Sequence, residues 1–309
     1  MDWLQELKEK NNIVEVISRY VQLQQKGGKF WCCCPFHHEK TASMCVNEDG
    51  QFYHCFGCGE SGDVITFIMK MEGMTFPEAV AFLAERAGMQ VPTPVGFQSN
   101  AESRQKRDRL YEILTLTAKF YYKSLMSDEG KDARTYLEKR GVDKNLMTRF
   151  GLGFSPSYDG VIKYLKEQGF SEAEMLDCGV AWQSDKSKRV FDALQGRMIV
   201  PIFDMRGRVV AFSGRAVTKE FSGGKYVNYR NTKVFEKGKV LYAANFVKKE
   251  KQKVAIDRVI VVEGYMDVIS LAKYGFNNAI AGMGTAFTPE QARALRTLSE
   301  NVCVCYDGD

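Results

Sequence analysis

The chain has 309 residues, 45% hydrophobic and 26% charged, enough for two or three domains that each bury a core. No apolar run approaches the roughly 18–20 residues of a membrane helix, and Met1–Glu6 has neither a basic n-region nor an apolar h-region, so the sequence reads as cytoplasmic, without membrane contact. Six of nine cysteines fall in the first 60 residues with all three histidines, which argues for metal rather than a disulfide framework. The net charge of +5 hides an asymmetry: Gly196–Lys253 carries 14 Lys and Arg against 4 Asp and Glu. Such a segment, if it is more than a solvated surface, faces a polyanion.

In chain order, apolar spacing predicts an amphipathic helix at Ile13–Tyr20, a turn at Lys26–Lys29, and short strands carrying the cysteines. Helices follow at Val64–Met71 and Phe76–Ala87, the second stopping at Gly88. Pro92, Pro94, Gly96 and the polar run Gln98–Arg104 read as a linker. Helical patterns resume from Arg107 toward Met126 and over Ala133–Arg140, ending at Gly141. Met198–Phe203 and Val209–Phe212 read as strands joined by a turn at Asp204–Gly207. The last 50 residues alternate strand and helix: Val259–Val262, Met266–Tyr274, Ala279–Ala281, Pro289–Leu298, Val302–Tyr306. That rhythm implies a parallel sheet.

Cys34-Pro35-Phe36-His37 and Cys55-Phe56-Gly57-Cys58 give the spacing C-x2-H-x17-C-x2-C. Two turns, each aiming two ligands, complete a tetrahedron of three thiolates and one imidazole, the donor set of one structural zinc ion. His38 competes with His37, and Cys32 or Cys33 with Cys34; the x2 spacing favours Cys34 and His37. Around them stand Phe30, Trp31, Phe36, Phe52, Tyr53 and Phe56 with Lys26, Lys29 and Lys40. These rings serve either as a platform for unstacked bases or as the core of a small metal domain.

Glu263 follows the strand Val259–Val262, and Asp307 and Asp309 follow the third strand, so all three emerge at the carboxyl edge of one parallel sheet. Asp267 lies one helical turn beyond Glu263. Acids gathered in this way imply divalent cations, Mg2+ or Mn2+.

At these residues the sequence resembles a known family. Cys34–His37, Glu39-Lys40-Thr41, Phe52–Cys58, Ser61-Gly62-Asp63, Phe76–Val80 and Leu83–Gly88 are similar to the zinc-binding domain of DnaG-type bacterial primases. Arg149–Phe154, Met198–Ile202, Gly207–Arg215 and Lys225–Asn228 resemble the basic motifs of that family's RNA polymerase core. Glu263–Val268, Gly282–Ala286 and Asp307-Gly308-Asp309 resemble the Toprim module. The resemblance implies an α+β and α/β multidomain chain. A zinc ribbon with helices would occupy residues 1–91, a linker 92–106, a basic mixed subdomain 107–257, and the start of a parallel Toprim sheet 258–309.

By the same resemblance Glu263, Asp267, Asp307 and Asp309 hold the catalytic metals, with Glu263, Asp307 and Asp309 as magnesium ligands. Arg149, Arg197, Arg215, Lys225 and Asn228, with Lys237 and Lys239, contact the nucleotide or template. The implied activity is DNA-directed synthesis of RNA primers from ribonucleoside triphosphates on single-stranded DNA, giving an RNA–DNA hybrid at the replication fork, in the nucleoid. A replicative helicase is the implied partner, through a C-terminal domain beyond Asp309. Two rival readings are another Toprim enzyme (a topoisomerase or nuclease) and a zinc-dependent single-strand binding module. The sequence departs from the family's usual pattern at Ala42-Ser43-Met44, where Pro-Ser-Phe is common, and at Leu194 and Gln195, where Arg is common. The chain ends inside the Toprim pattern, from which we expect an exposed sheet edge.

Overall fold

The computed structural model describes residues 3–91, 98–217, 226–228, 230–284 and 287–306. The chain divides into two compact units, Met1–Asn100 with Lys249–Ile256, and Ala101–Lys248 with Asp257–Asp309.

The first unit is built on a five-stranded antiparallel ribbon in sequence order: β1 (Gln24–Lys26), β2 (Lys29–Cys32), β3 (Met44–Asn47), β4 (Phe52–Cys55) and β5 (Ser61–Gly62). Alternation puts Val46 and Tyr53 on one face, fully buried, against helices α1 (Trp3–Glu9), α2 (Ile13–Ile17), α3 (Val64–Glu72) and α4 (Phe76–Arg86). The Phe67 ring packs edge-on within 5.5 Å of both Tyr53 and Phe36. Each fully buried ring of this kind contributes about 1.5–3 kcal/mol. Asp63 caps α3 by accepting from the Thr66 amide at 2.9 Å, and Gly73 ends it at φ 63°. The sequence reading has no counterpart for α1, and α2 is shorter than expected, because Ser18–Tyr20 continue only as turns.

The second unit takes α5, Gln98–Met126, from Ala101 onward, and the first residues of this helix lie where a linker was expected. Gln98–Arg104 contains no glycine or proline to break a helix, and Gln98, Ala101, Glu102 and Arg104 favour one against the weaker formers Ser99, Asn100 and Ser103. Next come α6 (Lys131–Lys139), α7 (Lys144–Arg149), β6 (Gly153–Phe154), α8 (Gly160–Glu167), α9 (Glu172–Asp177), β7 (Ala181–Gln183) and β8 (Val190–Asp192). A four-stranded sheet in the order β11-β10-β9-β6 centres on the antiparallel pair β9 (Arg197–Phe203) and β10 (Val209–Ala216), with β11 (Tyr226–Asn228) beyond. Asp204 closes the β9–β10 turn, accepting from the Arg206 and Arg208 amides and from Arg208 Nε at 2.8–2.9 Å. Leu194, one of the departures, is fully buried beside this sheet.

After α10 (Ala244–Lys251), the chain forms β12 (Arg258–Val262), α11 (Tyr265–Lys273), β13 (Ala279–Ala281), α12 (Pro289–Leu298) and β14 (Asn301–Cys305). The three strands are parallel in the order β13-β12-β14, with Val262 opposite both Ala281 and Cys305. Tyr242 joins the β13 edge through two backbone bonds with Ala281, of 2.8 and 3.2 Å. Strand β14 is exposed along its length. One core unites this unit, from Leu110 in α5 to Met283 beyond β13.

Candidate functional site

The first site grows from the ribbon. Cys34 lies two residues beyond β2, Cys55 ends β4, and Cys58 follows in the next turn. One ligand atom from each of Cys34, His37, Cys55 and Cys58 lies within 4.8 Å of the others, the one such group among the described residues. Cys34 Sγ and Cys58 Sγ are 3.9 Å apart, and Cys55 Sγ is 3.8 Å from His37 Nδ1. A tetrahedron with zinc–sulfur and zinc–nitrogen bonds of about 2.3 and 2.0–2.1 Å has edges of about 3.6–3.8 Å, so the donors fit one structural zinc ion without an open position. Cys32, Cys33, His38 and Cys45 stand outside the group.

The surrounding groups orient the ligands. Glu39 accepts from the Cys34 and Ser43 amides at 2.6 and 3.2 Å, and its other oxygen lies 3.3 Å from His37 Nε2. That places a carboxylate behind the imidazole whose Nδ1 faces the sulfurs. Burial opposes the Glu39 charge, but the Ser43 hydroxyl and these amides win and hold its pKa below the ordinary value. Burial pushes the Cys34 thiol up. At Cys55 burial is outweighed by the Ser43 hydroxyl and the Cys58 and Gly57 amides, which lower its pKa. A Cβ at Gly57 would stand 2.6 Å from His37 Nε2, so the second turn requires glycine for close approach.

The aromatic residues divide between the core and the opposite face of the ribbon. Phe36 and Tyr53 belong to the core, whereas Trp31 and His54 share a row of the opposite face, paired through Cys45. Phe56 stacks on Trp31 at 6.0 Å and meets His54 edge-on at 4.7 Å while remaining 69% exposed. Lys26, Lys29 and Phe52 are exposed as well.

The second site is a cleft of about 720 Å³ at the carboxyl edge of the parallel sheet. Glu263 and Tyr306, each the first residue beyond the paired ends of β12 and β14, both line it. Asp267 lines it from the first turn of α11, where its Oδ2 accepts from the Gly264 amide at 3.0 Å and caps the helix. Glu263 and Asp267 are exposed. Arg215, near the end of β10 and largely buried, reaches the cleft with its guanidinium carbon 5.0 Å from the Tyr136 ring centroid.

Arg149, Arg197, Lys237 and Lys239 lie outside this lining. Arg149 donates to Asn277 Oδ1 at 2.7 Å and lies over Phe150 and Phe246, which ties the end of α7 to the segment before β13. Arg197 is buried, donates to the Gln195 carbonyl at 3.1 Å and faces Asp192; burial lowers its pKa. Lys239 pairs with Glu236 at 2.7 Å in the 3-10 turn Lys237–Lys239, and the Lys237 carbonyl accepts from Gln291 in α12. Asn228 ends β11 opposite Ser213. Lys225, Asp307 and Asp309 lie outside the described residues.

Sequence reasoning passed over Arg140, Tyr242 and Tyr265, which also line the cleft, because each looks like an ordinary helix-end or core residue. It also passed over Asp192, fully buried, which accepts from Tyr121, Ser155 and the Leu194 amide. No described helix is long and apolar enough to cross a membrane.

Comparison with known proteins agrees along the chain. Residues 1–99 match the CHC2 zinc finger family, 120–248 the N-terminal domain of the DNA primase catalytic core, and 260–309 a Toprim-like family. The DNA primase of Clostridium acetobutylicum is 39% identical over 309 residues, covering all of this chain and 50% of the relative. That of Escherichia coli K12 is 38% identical over 308 residues, covering 99% and 52%. The chain thus spans about half the length of the curated relatives it matches. Among solved structures, the zinc-binding and RNA polymerase domains of Aquifex aeolicus primase match with a TM-score of 0.61 at 33% identity, covering 99% of this chain and 72% of that one. A DnaG primase catalytic domain bound to single-stranded DNA matches with a TM-score of 0.60 at 37% identity, covering 68% and 65%. The chain belongs to the DnaG family of bacterial DNA primases.

Proposed function

We propose that this chain carries the primer-synthesis site of a DNA primase, joining ribonucleotides on a single-stranded DNA template. The observation that carries the reading is the cleft in which Glu263 and Asp267, at the carboxyl edge of a parallel sheet, share a wall with Arg215. In the reaction the 3′-hydroxyl of one ribonucleotide forms a bond to the α-phosphate of the next as the bond to pyrophosphate breaks. Glu263, with Asp307 and Asp309 of the following strand end, would hold Mg2+ or Mn2+, which when bound neutralises phosphate charge and aligns the oxygens for in-line displacement. Arg215 fixes the nucleotide and stabilises charge developing on the phosphoryl group. Asp267 holds the start of α11 in place and so positions Glu263.

The outer face of the ribbon, with Trp31, Phe52 and Phe56 beside Lys26 and Lys29, offers stacking surfaces and cations to unpaired template bases. Four functional stretches are proposed: zinc-binding 1–91, connecting 92–106, basic 107–257 and Toprim 258–309. Arg149, Arg197, Lys225, Asn228, Lys237 and Lys239 remain proposed nucleotide or template contacts on family membership alone. A replicative helicase, the RNA–DNA hybrid and a place at the replication fork rest on the same ground.

The test is primer synthesis on single-stranded DNA with labelled ribonucleotides and Mg2+ or Mn2+. Short template-dependent RNA from the parent, reduced at least about 100-fold by Glu263→Gln, is expected, since removing a metal-holding carboxylate abolishes most transition-state stabilisation. Equal yield from the variant would overturn the role of Glu263. DNA cleavage without nucleotides would instead identify another Toprim enzyme. Zinc-dependent DNA binding with no incorporation would identify a binding module.

A further inference from the structure

Arg140 caps the carboxyl end of α6, followed by Gly141 at φ 73°, and lines the cleft that holds Glu263, Asp267 and Arg215. Its guanidinium carbon lies 5.0 Å from the Tyr136 ring centroid, the same distance as that of Arg215. Tyr136 and Arg140 are i, i+4 neighbours, so this pair alone could be ordinary helix packing worth about 0.2–0.5 kcal/mol. Arg215 changes the case, because it arrives from β10, more than 70 residues along the chain, against the same ring. The two guanidinium carbons are therefore no farther apart than twice 5.0 Å. Both guanidinium groups thus stand at the wall of one open cleft, where a single polyanionic ligand can meet them together.

The Arg140 guanidinium makes no hydrogen bond or ion pair with another described residue, and the side chain is exposed. Resting against a ring, it keeps its planar fork of donors available for bidentate binding of phosphate, with part of its rotamer freedom already lost.

We infer that Arg140 is a further nucleotide-binding residue, forming with Arg215 a two-arginine clamp, braced on Tyr136, for the polyphosphate tail of a nucleoside triphosphate. This rests on the nucleotidyl-transfer reading above and assigns a part of the substrate to these residues. Tyr136 acts as a positioning residue, since it touches the guanidinium groups rather than the nucleotide.

The test is equilibrium binding of labelled ATP and AMP to the whole zinc- and Mg2+-loaded chain, beside single-stranded DNA binding and thermal melting. Arg140→Ala should weaken ATP binding about 10- to 100-fold, the worth of a charge-assisted phosphate contact. AMP and DNA affinities and the melting temperature should stay as in the parent. Arg140→Lys should recover only part of the loss, because an ammonium keeps the charge without the fork. Unchanged ATP affinity in Arg140→Ala would reduce the residue to an i, i+4 packing partner and overturn the inference alone. Equal loss of ATP and AMP would overturn it too, by showing a general effect on the cleft. A parent that binds neither nucleotide would bring down the nucleotidyl-transfer reading together with the clamp.

Discussion

The two sites are built in opposite ways. The Cys/His site takes its four donors from 25 consecutive residues, with Cys34 and Cys55 nearly or wholly out of contact with solvent and Glu39 holding the imidazole and the first turn. The carboxylate cleft draws on residues from Arg140 to Tyr306, and its acids stay exposed. The difference follows from the work each does. A structural ion closes the turns that its own ligands make, so those ligands are local and, apart from the exposed Cys58, at least partly withdrawn from solvent. Under the proposed function the cleft must admit a charged substrate, which an open site supported by a core built elsewhere allows.

The sharpest way to break this contrast is to remove the metal. Stripping zinc from the whole chain with a chelator should unfold the ribbon, a loss approaching the about 10–16 kcal/mol that structural zinc supplies in small metal-dependent folds. Amide exchange would show it: Met44–Asn47 should lose protection while Val259–Val262 keep theirs. Ribbon amides that stay protected without zinc would end the distinction.

Next in size is the support beneath the second unit. Asp192→Ala leaves Tyr121, Ser155 and the Leu194 amide without their buried acceptor and should cost roughly 2–4 kcal/mol in urea unfolding. Burial pushes the Asp192 pKa from 3.8 to about 6, against the pull of its hydrogen bonds. A raised carboxyl pKa means that the fold prefers the protonated form. Its contribution is therefore whole below about pH 4 and declines as pH rises through about 6. The stability difference between parent and Asp192→Asn should shift across that window and be flat above it.

A smaller effect separates ligand from ligand-holder. Glu39→Gln, with the four donors intact, should weaken zinc retention about 10- to 100-fold against a competing chelator. No change would mean that the ribbon backbone alone orients His37.

The smallest effects are expected at the open site. Asp267→Ala should cost about 1 kcal/mol through the lost cap on α11, with Asn recovering part of it. Glu263→Gln should change stability by less than about 0.5 kcal/mol, since its carboxylate is exposed. A large loss of stability from Glu263→Gln would show that this carboxylate supports the fold as well as the cleft.

What could be read in the sequence was what neighbouring residues settle among themselves. The C-x2-H and C-x2-C turns bring four donors together because a tight turn admits few geometries, and the period of the last 50 residues fits only a parallel α/β unit. The carboxyl-edge position of Glu263 followed from that topology before any coordinates. Family resemblance supplied the identity of the basic residues, yet it did not say which of them face the cleft. Arg215 does so from β10, while Arg149 and Arg197 are turned toward Asn277 and toward Gln195 and Asp192. Arg140 and Tyr242, ordinary in sequence, form part of the cleft wall. Only the tertiary structure decided these placements, because side chains far apart in sequence meet according to how sheets and helices pack, which no local spacing records.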